Sequence, residues 1–213
     1  MSIGATVRRS LGRLERPVSD VYRSIFLDTR ELASIIGSLE PADRILEVGV
    51  GDGILAQRIS EELQASTFLG IDVCDHPGLL FSGDAARVTF RTISAEDLRV
   101  EGPEPFDLVL VSDVLHHVAV DRRASVVAAS GSLVAPGGLL VIKESVRVAS
   151  VGYPLCVIAD RWIGGDRSVA FLTVEEIDAL VESSVGGVTP IARRTVRPWG
   201  VNVVSVYRVS PLD

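Results

Sequence analysis

An apolar stretch of strand character, Ile45-Leu46-Glu47-Val48, runs directly into three glycines at alternate positions, Gly49, Gly51 and Gly53, and Ile54-Leu55-Ala56 then opens a helical pattern. Such a run constrains the chain strongly, because glycine takes backbone conformations closed to other residues and so lets a strand turn sharply into a helix. It also brings bare main-chain N–H groups to a helix start, where a ligand can lie directly against them. Glu47, at the strand end, opposes a phosphate and suits a ligand that carries positive charge.

A second short strand, Phe68-Leu69-Gly70-Ile71-Asp72, ends in another carboxylate. About 20 residues past the glycines, at the tip of the second strand of a βαβ unit, an acid is placed to bind both hydroxyls of a ribose. Further on come Ser94-Ala95-Glu96-Asp97, the run from Phe106 to Val118 and the run from Leu133 to Ile142. With these in order, the chain closely resembles the class I S-adenosylmethionine-dependent methyltransferases, whose pattern is acid-x-Gly-x-Gly-x-Gly followed by an acid after the second strand. The resemblance covers about Asp43 to Glu144.

The alternation of elements agrees. A helical stripe from Ser19 to Leu39, with Ser19 as N-cap, is ended by Pro41. Strands are expected at about 44–48, 67–72, 87–93, 106–111 and 138–143, with helices at about 53–63 and 120–134. The continuous apolar content of Phe106–Val111 suits a parallel strand covered on both faces. Thr173-Val174-Glu175-Glu176 reads as a capping box, the helix it opens is stopped by Gly186-Gly187, and two strands close the chain at about 189–196 and 202–209. The expected fold is α/β: a Rossmann-like, doubly wound, mostly parallel seven-stranded sheet with an antiparallel last strand.

One domain of 213 residues is expected. It divides into an N-terminal arm and cover helix (1–40), a cofactor-binding core (41–144), a segment covering the acceptor site (145–172), and a C-terminal helix and hairpin (173–213). The formal net charge of −7 argues against a general nucleic-acid binder, although Arg8, Arg9, Arg13 and Arg16 make the first residues locally basic. Two cysteines, Cys74 and Cys156, fit a reduced cytoplasmic compartment, and their spacing to the three histidines gives no zinc pattern. No signal peptide or membrane insertion is expected, since Ser130, Gly131 and Pro136-Gly137-Gly138 break the uncharged stretch 124–142. Oligomeric state is not legible.

The resemblance implies S-adenosylmethionine as the cofactor. Gly49, Gly51 and Gly53 would lie under its methionine and ribose portions, Glu47 toward its ammonium end, and Asp72 on the ribose. After the third strand the family has an acid and then alanine; here Ser94 stands in place of the acid and Ala95 matches. Ser94 then either accepts from the adenine amino group or caps a helix, with Glu96 or Asp97 as a substitute contact. Ser112 and Asp113 follow the fourth strand, where backbone carbonyls of the family face the cofactor amino group.

Methyl transfer from a sulfonium is an in-line displacement that needs alignment and a dry pocket more than catalytic side chains. A histidine titrating near neutrality is a natural base for a hydroxyl or amine nucleophile. His116 and His117 are the candidates, His116 preferred and His117 taken as packing. Lys143 and Glu144 either face the crevice or form a salt-bridged strand end. Tyr22, Tyr153, Arg161 and Trp162 are candidate rim residues of an acceptor pocket, while His76 reads as a loop residue and Trp199 as core.

The acceptor is expected to be a small molecule offering an O, N or C nucleophile, as in secondary metabolism. A nicotinamide oxidoreductase would want Gly-x-Gly-x-x-Gly, and the third glycine here arrives one residue early. A non-catalytic S-adenosylmethionine-binding protein is the other alternative. Methylation of bases is disfavoured by the lack of an Asn/Asp-Pro-Pro-aromatic pattern.

Overall fold

The computed structural model describes residues 27–63, 67–150, 152–158 and 169–210. The basic arginines near the start, Ser19, Tyr22, Arg161 and Trp162 lie outside these residues.

Strand β1 (Arg44–Val48) and strand β4 (Phe106–Ser112) are buried over nearly all of their length and occupy the middle of a seven-stranded sheet. Around them lie β2 (Thr67–Asp72), β3 (Val88–Thr92), β5 (Val134–Ser145), β6 (Val188–Val196) and β7 (Asn202–Val209), in the order β3-β2-β1-β4-β5-β7-β6. The pairings β1–β2, β1–β4, β2–β3 and β4–β5 are parallel. Only β7 runs the other way, antiparallel to β5 and to β6, as expected for the last strand.

Helices cover both faces. Leu32 and Ile36 of α1 (Thr29–Gly37) and Leu55 and Ile59 of α2 (Ile54–Glu62) pack with Ile45, Leu108 and Val141 on one side. On the other, Leu98 of α3 (Ala95–Glu101), Val127 of α4 (Arg123–Ser132) and Val181 of α6 (Val174–Ser184) meet Leu46, Val109 and Leu140. A parallel strand buried on both faces can present an uninterrupted apolar run, which is why Leu108-Val109-Leu110-Val111 carries no polar alternation.

Three boundaries differ from the sequence expectations. The first described helix begins at Thr29, not within a continuous helix from Ser19, because Asp28 is extended (φ −76°, ψ 90°) and its carboxylate caps the amides of Arg30 and Glu31. The expected helix at 120–134 is a short 3₁₀ turn, Val120–Arg122, followed by α4. Strand β5 starts at Val134, paired with Phe106, and takes Pro136-Gly137-Gly138 into a register irregularity where a separate turn was expected. The capping box is present in full, with Glu176 N–H donating to Thr173 Oγ1 and Thr173 N–H donating to Glu176 Oε2.

Within 145–172, helix α5 (Gly152–Ile158) joins a small separate core of Cys156, Val169, Phe171 and Val201, backed by Tyr153 and Trp199. Gly152 sits flat against the Trp199 side chain, where a Cβ would have no room, and Ser150 Oγ donates to the Trp199 carbonyl at 2.6 Å. The same hairpin turn holds α1, since the Asp28 amide donates to the Arg197 carbonyl at 2.9 Å and the Arg197 amide to Glu31 at 2.8 Å.

Candidate active site

All four parallel strands β1–β4 end on one side of the sheet, and ligands of such sheets lie beyond the carboxyl ends of the strands. A cavity of about 580 Å³ opens there, within the range that holds drug-sized ligands. Its wall brings together Glu47, Gly49, Gly51, Asp72, Ser94, Ala95, Glu96, Ser112, Asp113 and His117, every one a residue singled out from the sequence. Gly53 and His116 are not on that wall.

The glycines divide the work of the turn. A Cβ on Gly49 would press into Val114 and lie 2.7 Å from the Ser112 carbonyl oxygen, so Gly49 allows β1 to pass close beneath the turn after β4. Gly51 is different. Its φ is +53°, yet a Cβ there would meet no atom within 4 Å, so the bare backbone faces open cavity. Gly53 is the left-handed N-cap of α2 and packs on Gly78.

Asp72 ties this loop to β2. One carboxylate oxygen accepts the Gly51 amide at 2.9 Å and the other accepts the Cys74 amide at 3.0 Å. Glu47 is almost wholly buried at the cavity floor. Ser94 caps α3, accepting the Asp97 amide at 3.1 Å and donating to the Asp97 carboxylate at 2.7 Å, and it also lines the cavity. Glu96 reaches the guanidinium of Arg122 at 3.1 Å from the same wall.

After β4 the chain turns through Asp113, a non-glycine residue at φ +52°. Strain of this kind collects where the surrounding structure fixes a functional position. The carboxylate is bound by the ammonium of Lys143, the only lysine of the chain, which is 1% exposed against 36% for Asp113. Asp113 Oδ1 has no hydrogen-bond partner among the described residues. Burial alone would raise the Asp113 carboxyl, but the Lys143 ammonium, with smaller contributions from His116 and His117, holds it below the usual carboxylate value.

The two histidines exchange the environments expected for them. His117 is exposed on the cavity wall, whereas His116 is buried behind it with its ring 4.1 Å from that of His117. His116 Nδ1 lies 2.6 Å from Glu144 Oε2, and Glu144 Oε1 accepts the amides of Val114 and Leu115 at 2.9 and 2.7 Å. Glu144 is the polar residue whose role the sequence did not separate from that of a salt-bridged strand end. Lys143 is such an end; Glu144 is a buried anchor for the turn. Ligand-type atoms of Asp113, His116 and Glu144 lie within 4.8 Å of one another, and the cation that the structure sets beside them is the Lys143 ammonium. His76 is an exposed loop residue and Trp199 is half-buried in the hairpin turn.

Residues 46–140 match a family model described as a methyltransferase domain. The chain thus carries a match to a methyltransferase domain and resembles the class I S-adenosylmethionine-dependent methyltransferases. The methyltransferase fold is found again in the 1,6-didemethyltoxoflavin-N1-methyltransferase of Burkholderia thailandensis, solved with 1,6-didemethyltoxoflavin and S-adenosylhomocysteine (TM-score 0.67, 20% identity, 97% of this chain and 88% of that one). The pyocyanin biosynthetic protein PhzM superposes over 97% of this chain and 62% of its own with a TM-score of 0.71 at 18% identity. In sequence, a ubiquinone biosynthesis O-methyltransferase of Pseudomonas syringae pv. tomato is 39% identical over 131 residues, 58% of this chain and 51% of that protein. The chain thus spans about half the length of the curated relatives it matches. No helix among its described residues is long and apolar enough to cross a membrane.

Proposed function

We propose that this chain transfers the methyl group of S-adenosylmethionine to a small-molecule acceptor, working in the cytoplasm, where Cys74 and Cys156 remain free thiols. The observation that carries this reading is the single cavity that joins the Gly49–Gly51 backbone, Glu47, Asp72 and the Ser94-Ala95 turn. Open space at Gly51 and the partnerless buried oxygen of Asp113 both fit a polar ligand lying against the loop. Glu47 would face the ammonium of the methionine portion and Asp72 the ribose hydroxyls. Ala95 would meet the adenine ring through its amide; Ser94, already engaged with Asp97, adds its oxygen beside it.

Bound there, the cofactor supplies a methyl group already activated on a sulfonium. What remains for the protein is to align the acceptor with that group and to keep water away. In this reading the turn Ser112–Val118 stands between the two ligands, and the described residues 145–150, 152–158 and 169–172 cover the acceptor side. His117 or His116 takes up the proton that an O–H or N–H acceptor releases. The net charge of −7 supports a small acceptor over nucleic acid.

Titration calorimetry with S-adenosylhomocysteine tests the reading. Binding with a Kd on the order of micromolar is expected, and preference for NAD over S-adenosylhomocysteine would overturn it.

A further inference from the structure

We infer that Arg123 is a positioning residue that ties the segment 169–172 to the turn after β4, so that a ligand filling the cavity fixes the acceptor-side cover through it. The inference rests on the methyl-transfer reading above for what the ligand and the cover are, and adds to it a residue and a link between the two.

Arg123 stands where a cation is disfavoured. It opens α4, at the positive end of the helix dipole, and is only 7% exposed. Burial pulls its guanidinium below the ordinary arginine value, and Glu144 and Glu176, the carboxylates its charge senses, form no hydrogen bond with it. Its hydrogen-bond partners are carbonyls: Nε donates to Val118 at 3.1 Å and Nη2 donates to Ala170 at 2.6 Å. Carbonyls satisfy the N–H groups without neutralising the charge, so the desolvation cost is not offset by a paired carboxylate among the described residues. What the side chain supplies is geometry, since one rigid planar fork reaches two backbone segments at once.

Those segments belong to different parts of the molecule. Val118 ends the turn that also places Val114 and His117 on the cavity wall. Ala170 lies 47 residues beyond Arg123, between Val169 and Phe171, which enter the small core with Cys156 of α5. The Ala170 side chain is exposed, so packing does not hold this residue in place. Its backbone does: the carbonyl is taken by Arg123, and the amide donates to the His116 carbonyl at 3.0 Å. Both polar groups of one residue are thus held from the turn side. Two residues on, the Leu172 carbonyl accepts the Arg147 amide at 2.8 Å, which fixes the other end of the segment beside β5.

A ligand in the cavity presses on Val114, His117 and Val118 and so restrains the turn whose carbonyls carry this tie. With the turn restrained, local opening of 169–172 must break bonds to groups that no longer yield. By linkage, a cover that is held closed favours the ligand to the same degree. Lysine at 123 would keep the charge but present it from a single atom, and cannot span both carbonyls as the fork does.

The test is residue-resolved hydrogen exchange on the full-length protein, with and without S-adenosylhomocysteine. In the wild type, the amides of 152–158 and 169–172 are expected to exchange roughly tenfold more slowly with the ligand. Arg123→Lys should bind S-adenosylhomocysteine within about threefold of the wild type and keep the slowing at the glycine loop, yet lose it at 152–158 and 169–172. Slowing retained there in Arg123→Lys overturns the inference, as does equal exchange of that segment in wild-type protein with and without bound ligand. Without ligand, Arg123→Met should speed exchange of the Ala170 amide roughly tenfold and leave Val109 and Leu110 of β4 unchanged. A uniform rise across the sheet would make Arg123 an ordinary scaffold residue and overturn the inference; Arg123→Lys supplies the same comparison if Arg123→Met does not fold. Failure of the wild type to bind S-adenosylhomocysteine strikes the methyl-transfer reading instead, and the ligand-free comparison then decides whether Arg123 is the tie.

Discussion

The Asp72 carboxylate accepts the amide of Gly51, 2.9 Å away and 21 residues earlier in the chain. The acid at the tip of β2 is therefore a strut for the glycine loop as well as the proposed ribose contact. Asp72→Ala should cost S-adenosylhomocysteine affinity about 1.5–3 kcal/mol, the range for hydrogen bonds to a charged group. Calorimetry on the variant checks this; unchanged affinity would remove Asp72 from the site.

Gly49 and Gly51 should respond differently to alanine. Gly51→Ala adds a methyl group to open space and a left-handed alanine, so stability should drop by only about 1 kcal/mol while S-adenosylhomocysteine binding is largely lost. Gly49→Ala must displace Val114 and the Ser112 carbonyl, and its loss of stability should exceed that of Gly51→Ala by about 1–3 kcal/mol. Urea unfolding of both variants decides it; equal losses would mean that the two glycines serve one purpose.

The Asp113–Lys143 pair should be asymmetric to mutation. Asp113→Asn strands a buried ammonium and should cost about 3–5 kcal/mol, whereas Lys143→Met leaves a carboxylate that water reaches and should cost less. A carboxyl held below its ordinary value contributes stability above its unfolded pKa, near about 3.9, and that contribution is lost as pH falls through the folded value. Solvent at the exposed edge of Asp113 keeps this part on the order of 1 kcal/mol. Unfolding curves from neutral pH down into the acid range should therefore fall less steeply for Lys143→Met than for the wild type. Parallel curves would show that the pair does not set the acid limb.

If residues 145–172 cover the acceptor site, hydrogen exchange across 152–158 and 169–172 should slow when S-adenosylhomocysteine is present. Strong and equal protection in both states would make this segment a fixed part of the scaffold.

Much of this was legible along the chain because the relevant physics is local. Gly49-Val50-Gly51-Asp52-Gly53 announces its turn through backbone sterics, and Thr173 with Glu176 announces a helix start through two reciprocal bonds. Asp28 was harder to see, since Ser19 offers the same capping chemistry ahead of the same apolar stripe. The exchange of roles between His116 and His117 has no local signature at all. Adjacent residues on a turn point apart, and which one is buried depends on Glu144, brought 28 residues back by the pairing of β5 with β4.

The hairpin turn at Arg197 and Trp199 fastens both α1 and α5, although neither helix is its neighbour in sequence. Leu27 and Thr29, at the start of α1, lie on the cavity wall, and α5 carries Tyr153 toward Phe171. The cavity wall at Leu27 and Thr29 and the segment proposed to cover the acceptor thus share one fixing point. A substitution that tilts this turn alters both walls together, so acceptor preference and donor affinity are expected to drift as a linked pair when the C-terminal hairpin varies, even with every residue of the glycine loop unchanged.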